Sequence, residues 1–126
     1  MTENEVAKVI VEAAIEVHGT LGGPGLLESV YEEALNRELK LRGLQVERQV
    51  AVPIVYKGCR LGCGLRLDLV VAGKVIVECK ATRDDNPLFA AQALTYLRLM
   101  NLKLALVVNF GERLVKDGIR RVVNRL

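Results

Sequence analysis

Apolar positions first recur at helical spacing. Behind the capping-box signature Thr2-x-x-Glu5, the residues Val6, Val9, Ile10, Ala13, Ala14 and Val17 trace one face of a helix. The pattern predicts that this helix ends near His18, because Gly19 and the Gly22-Gly23-Pro24-Gly25 run break it. A second stripe, Leu27, Val30, Tyr31, Ala34, Leu35, Leu39 and Leu41, predicts a helix from about Leu26 to Arg42, stopped by Gly43. The period then changes. Gln45 to Tyr56 is rich in β-branched residues, and Pro53 confines part of it to an edge or a bulge. Lys57-Gly58 is a turn, and Leu65–Val71 with Val75–Lys80 reads as a hairpin split by Ala72-Gly73-Lys74. Asn86-Pro87 supplies the N-cap and first turn of a third helix, to about Asn101. Lys103–Val108 is a short buried-type strand closed by Asn109-Phe110-Gly111. The tail from Gly118 is compatible with a strand or a short helix. The order α, α, β, β, β, α, β and a last element predicts an α/β fold, a mixed sheet with helices on its faces.

Composition narrows the class. A chain of 126 residues, 51% hydrophobic and 26% charged, is expected to fold as one domain spanning 1–126. No apolar stretch is long enough to cross a bilayer, and Glu3, Glu5 and Lys8 do not suit a signal peptide, so a cytoplasmic protein is expected. Cys59, Cys63 and Cys79 are too few for a disulfide scaffold. With His18 the sole histidine, a zinc site is not expected. The net charge is only +3, yet residues 1–38 hold eight acids and two bases, and residues 39–126 seven acids and sixteen bases. That asymmetry suggests a basic face. Five aromatic residues and no tryptophan argue against a base-stacking platform.

Four polar features interrupt the apolar pattern. Glu28 lies about 20° from Leu35 on the helical wheel, at the border of the second helix's buried stripe. Asp68 interrupts a strand interior, where aspartate is disfavoured. Glu78 and Lys80 share one strand face and Cys79 points the other way, into the core. Gln92 falls on the Leu88, Phe89, Tyr96 and Leu99 side of the third helix, where a buried amide needs partners. Singly, each has an ordinary explanation as a solvated edge, an ion pair or a satisfied core amide. A carboxylate and an ammonium at one strand end also suit phosphodiester chemistry, in which the acid holds Mg²⁺ and the lysine steers water or offsets charge on the phosphate.

The combined set resembles the PD-(D/E)XK nuclease superfamily, and within it the small GxxExxY proteins. The segments that carry the likeness are Gly25-Leu26-Leu27-Glu28-Ser29-Val30-Tyr31, Gly64-Leu65-Arg66-Leu67-Asp68, Val77-Glu78-Cys79-Lys80-Ala81, Gln92-Ala93-Leu94-Thr95-Tyr96-Leu97, Val108-Asn109-Phe110-Gly111 and Gly118-Ile119-Arg120-Arg121. The resemblance implies a restriction-endonuclease-like αβββαβ core preceded by an extra N-terminal helix. It implies that Asp68 and Glu78 bind metal, Glu28 is an additional acid, Lys80 activates or positions water, and Gln92 completes the site. Leu67 stands where the superfamily name has proline, and Phe89 where relatives carry histidine. The expected activity is Mg²⁺-dependent hydrolysis of nucleic acid, DNA rather than RNA, with Mn²⁺ as a substitute cation. The alternative is an inactive nucleic-acid-binding or protein-interaction module on the same fold. A homodimer would let so small a module cut both strands.

The hairpin sets a geometric condition. A two-residue turn at Ala72-Gly73 would pair Asp68 with Val77 and send Glu78 to the opposite face. The two acids share a face only if the turn is three residues long, Ala72–Lys74, or a bulge shifts the register.

Overall fold

The computed structural model describes residues 1–126. Helix α1 spans Glu3–Thr20 and helix α2 spans Glu28–Leu41. Strands β1 (Val46–Ala51), β2 (Ile54–Tyr56), β3 (Cys59–Leu61), β4 (Arg66–Val71) and β5 (Val75–Lys80) follow. Helix α3 (Pro87–Met100), β6 (Leu104–Asn109), a 3₁₀ turn (Val115–Gly118) and β7 (Ile119–Val123) complete the chain. The main sheet has the order β1-β4-β5-β6-β7, with β5 and β6 parallel and every other neighbour antiparallel. Strands β2 and β3 form a separate two-stranded sheet.

Local chemistry explains most boundaries. Thr2 and Glu5 exchange hydrogen bonds at the start of α1, forming the capping box. The helix runs two residues past His18, because Gly19 is accommodated within its last turn. Asn86 accepts from Leu88 N at the start of α3, and Asn101 ends that helix in the left-handed conformation. Helix α2 begins at Glu28 rather than Leu26, since Leu27 takes the extended cap position. The β-rich run divides at Val52-Pro53, where proline cannot supply a ladder N–H. The C-terminal tail is a strand. Its exposed Arg120 and Arg121 blunt a sheet edge that would otherwise invite pairing with another chain.

Two cores sandwich the sheet. Leu69, Val71, Val75, Val77, Cys79, Leu104, Leu106 and Val108 pack against the buried faces of α1 and α2. Val70, Ile76, Ala105 and Val107 pack against Ala93 and Leu97 of α3. The alternation along β5 therefore sends Glu78 and Lys80 to the α3 side with Ile76, and Cys79 into the larger core, as its spacing predicts.

The Asn-Phe-Gly segment after β6 is a backbone clamp. Asn109 Oδ1 accepts from Thr82 N (3.1 Å) and Gly111 N (2.9 Å), and its Nδ2 donates to Thr82 O (3.1 Å). Phe110 N donates to Lys80 O at 2.8 Å. These bonds fix the chain leaving Lys80. A Cβ on Gly111 would lie 2.2 Å from Thr82 O, against backbone that cannot yield. Gly111→Ala is expected to destabilise the protein by roughly 2–4 kcal/mol. Urea unfolding followed by circular dichroism checks this, and an unchanged midpoint would contradict it.

Candidate active site

The turn between β4 and β5 is three residues, Ala72–Lys74, with Ala72 and Gly73 both at positive φ. The register pairs Val71 with Val75, Val70 with Ile76 and Leu69 with Val77. One step further, Asp68 stands opposite Glu78, and both acids face α3. The geometric condition for a shared site is met. Here the ladder gives way: Cys79 N donates to Asp68 Oδ2 at 2.8 Å, so a side chain takes the N–H that would otherwise extend the pairing. The strands part where the acids meet.

Glu78 is buried, and its Oε1 has no hydrogen-bond partner. Burial first, and then the adjacent Asp68 carboxylate, push its acid up to about 9 against the pull of Lys80. A buried carboxyl oxygen without a donor is costly unless a proton or a cation meets it. Lys80 is half-buried, with Nζ 4.6 Å from the centre of the Phe89 ring. Phe89 thus holds the lysine head by a cation–π contact.

Glu28 is the first residue of α2, and its position comes from the Gly-x-x-Glu-x-x-Tyr spacing. The Tyr31 hydroxyl donates to Gly23 O (2.7 Å) and accepts from Leu26 N (3.1 Å), while its ring stacks on Phe110 with centroids 4.7 Å apart. Tyr31 therefore pins the loop that delivers Glu28, and Gly25, at φ +117°, turns it. Glu28 is exposed at the rim rather than set against the core. Partial burial raises its acid, Lys80 opposes, and Asp68 and Glu32 add to the rise, which places Glu28 within their fields. No three His, Cys, Asp or Glu side chains are grouped closely enough to hold a metal ion. Asp68 and Glu78 are joined as a pair, with Glu28 standing off from them.

The Gln92 side chain is half-buried and makes no hydrogen bond to the protein, so it is not the satisfied core amide that was its ordinary explanation. One turn further along α3, Tyr96 lies near the acids. Burial, then Glu78 and Asp68, raise its phenol. The Cys79 thiol is pushed well above its ordinary range by burial first and by Asp68, Glu32, Glu78 and Glu28 after it, which keeps it protonated.

Sequence reasoning missed Glu32. It is buried and accepts from Arg48 Nη2 (3.0 Å) and Nε (3.3 Å) and from Gln49 Nε2 (2.9 and 3.2 Å). Consecutive strand residues normally point to opposite faces. Here both reach one carboxylate, and Gln49 sits at φ +52°. The signal available in the sequence was Glu32 at i+4 from Glu28, on the same helix face. Tyr96 was legible in the same way, at i+4 from Gln92. A cleft of about 410 Å³ is lined by Pro24, Gly25 and Leu26 from the loop before α2, and by Ala81, Thr82, Arg83 and Gly111.

A mixed sheet whose central hairpin presents one acid from each strand, with a lysine two residues beyond the second acid, defines the restriction-endonuclease-like class. A family model described as the PD-(D/E)XK nuclease superfamily matches residues 4–122, and the chain belongs to that superfamily. No curated protein and no solved structure matches the chain. No helix is long and apolar enough to cross a membrane.

Proposed function

We propose that this protein is a Mg²⁺-dependent nuclease of the GxxExxY group that hydrolyses phosphodiester bonds in DNA, with Mn²⁺ able to substitute. The observation that carries the reading is the Asp68–Glu78 pair at the splayed strand ends. It contains a buried, unpartnered carboxyl oxygen and has Lys80 beside it. Two carboxylates of this kind suit a hard cation that takes oxygen ligands and keeps several waters. Asp68 and Glu78 would hold it, with Glu28 as an outer acid. Bound there, Mg²⁺ would supply charge to the phosphate and lower the pKa of water.

The chain's own residues do the rest. The Cys79 N–H fixes the rotation of the Asp68 carboxylate. Lys80 Nζ, held by Phe89, orients the attacking water and offsets charge on a non-bridging phosphate oxygen. The free amide of Gln92 is a donor for the substrate. The water gives up a proton as its oxygen bonds to phosphorus, the bond to the leaving sugar oxygen breaks, and that oxygen takes up a proton from solvent, so that one water is added across the bond in total. The excess of bases after residue 38 favours a polyanionic substrate. A homodimer acting in the cytoplasm would let two such modules cut a duplex.

The test is cleavage of plasmid and of oligonucleotide DNA and RNA with Mg²⁺ or Mn²⁺, wild type against Asp68→Ala. Loss of a metal-dependent product in the variant is expected, and activity that survives the change overturns the assignment. Salt-dependent binding without cleavage would identify an inactive nucleic-acid-binding module instead.

A further inference from the structure

The chain between β1 and β4 forms an arm. Strands β1 and β4 pair up to Ala51–Arg66, and Val52 N donates to Leu65 O at 2.9 Å at the root. Beyond Pro53 and Gly62-Cys63-Gly64 the same two segments pair again as β2 and β3, with Ile54 opposite Leu61 and Tyr56 opposite Cys59. Lys57 and Gly58, at φ +48° and +78°, close the tip in the hairpin turn that needs two left-handed residues. Val52 and Leu65 anchor the root in the α3-side core, and of β2 and β3 only Ile54 packs against it. Val55, Tyr56, Lys57, Cys59, Arg60 and Leu61 are all exposed.

The arm's root adjoins the candidate site. Arg66, where β4 begins, is two residues from Asp68 and donates to Gln49 O at 2.9 Å. From Arg48 to Arg66 the chain carries four bases (Arg48, Lys57, Arg60 and Arg66) and no acid. Lys57 lies at the tip, and Arg60 lies across the ladder from Val55. At ~3.3 Å per residue the arm extends roughly 20 Å beyond its root at Val52 and Leu65, about six phosphate spacings along one strand.

We propose that this β2–β3 arm is a nucleic-acid clamp, in which Lys57 and Arg60 grip the phosphate backbone several nucleotides from the bond held at Asp68 and Glu78. The inference rests on the nuclease reading and adds where the substrate runs. A polyanion is the occupant the charge favours, since the arm carries Lys57 and Arg60 and no acid beside a phosphodiester site. Its exposed apolar residues, with Tyr56 and Leu61 on the Ile54 face, sit on a two-stranded ladder too narrow to make a stable interface alone.

The experiment compares two double variants with equal charge change. Lys57→Glu with Arg60→Glu alters the arm. Lys40→Glu with Lys74→Glu alters the opposite end of the β4–β5 hairpin, where Lys40 lines a pocket with Ala72 and Gly73. Binding of a fluorescent DNA duplex is measured in EDTA between 50 and 200 mM salt, with far-UV circular dichroism as the folding check. The arm variant is expected to bind at least about tenfold more weakly, with a salt slope reduced by about two, one for each lost phosphate contact. The control is expected to keep its slope within about 0.5 of wild type. Equal losses in both variants, or an unchanged arm variant, overturn the clamp. So does a dimer in sedimentation that the arm variant alone dissociates, because the occupant is then a second copy. A wild type that binds no DNA overturns the nuclease reading itself, a result distinguishable from failure of the clamp alone.

Discussion

Lys80→Met is expected to lower the rate of metal-dependent cleavage by about a thousandfold, close to 4 kcal/mol of transition-state stabilisation. Methionine keeps an unbranched apolar stem against Phe89 and removes only the charge, so the fold is expected to stay within about 1 kcal/mol of wild type. The loss should fall on kcat, because the ammonium acts on charge that develops at the phosphate. A second signature accompanies it. Lys80 opposes the raised acids of both Glu28 and Glu78. Removing it lets both rise further, so the acidic limb of any residual pH–rate profile moves to higher pH. Lys80→Arg keeps that limb in place but misplaces the charge, because a planar fork does not substitute for a point charge over the Phe89 ring. Single-turnover kinetics across pH on the two variants check the argument. Wild-type kcat in Lys80→Met would remove lysine from the chemistry.

The acid–acid–lysine set was legible because it depends on short-range arithmetic. A three-residue turn at Ala72–Lys74 and a period of two suffice to bring Asp68 opposite Glu78 and to turn Cys79 inward. The same holds for Asn86-Pro87 at the start of α3 and for the break at Pro53. What escaped depends on distant partners or on exposure. Glu32 is buried because Arg48 and Gln49, on a strand sixteen and seventeen residues away, satisfy it. A helical wheel cannot show that. Strand β3 has no buried side and so no alternation to read, although Lys57-Gly58 marked its turn. Gln92 was placed nearer the core than it lies, because a wheel gives direction and not depth. Gln92 lies half-buried in the first half of α3, and Glu28 opens its helix at the rim, at the border of the buried stripe. The motif Tyr31 is a positioning residue. Its hydroxyl holds the Gly23–Leu26 loop, a role that spacing alone does not distinguish from core packing.

Glu78→Gln is expected to abolish cleavage and, in metal-free buffer, to raise stability at neutral and alkaline pH. The folded-state acid lies near 9, above its unfolded value near 4.5. A raised acid contributes stability that is fully present below the unfolded value and is lost as pH rises through the folded one. Between those limits the unfolded chain has released its proton while the folded chain keeps it. Each pH unit therefore subtracts up to about 1.4 kcal/mol from wild type, on the order of 3 kcal/mol by pH 7. Glutamine carries no proton to lose and fills nearly the same volume, so its stability should be flat over this range by comparison. The two proteins should melt within a few degrees of one another near pH 4.5. By pH 8 the variant should melt higher by roughly 8 °C or more. Adding Mg²⁺ should reverse the order, because a cation that binds the folded wild type stabilises it, whereas the variant lacks one of the two paired carboxylates. Uptake by wild type should also release a proton, detectable calorimetrically as a dependence of the apparent enthalpy on buffer ionisation. A variant that melts lower than wild type at every pH, or a Mg²⁺ stabilisation shared equally by both proteins, would show that Glu78 is an ordinary structural carboxylate. A site that is strained without its cation and relieved by it is the expected signature of a buried acid kept for chemistry rather than for folding.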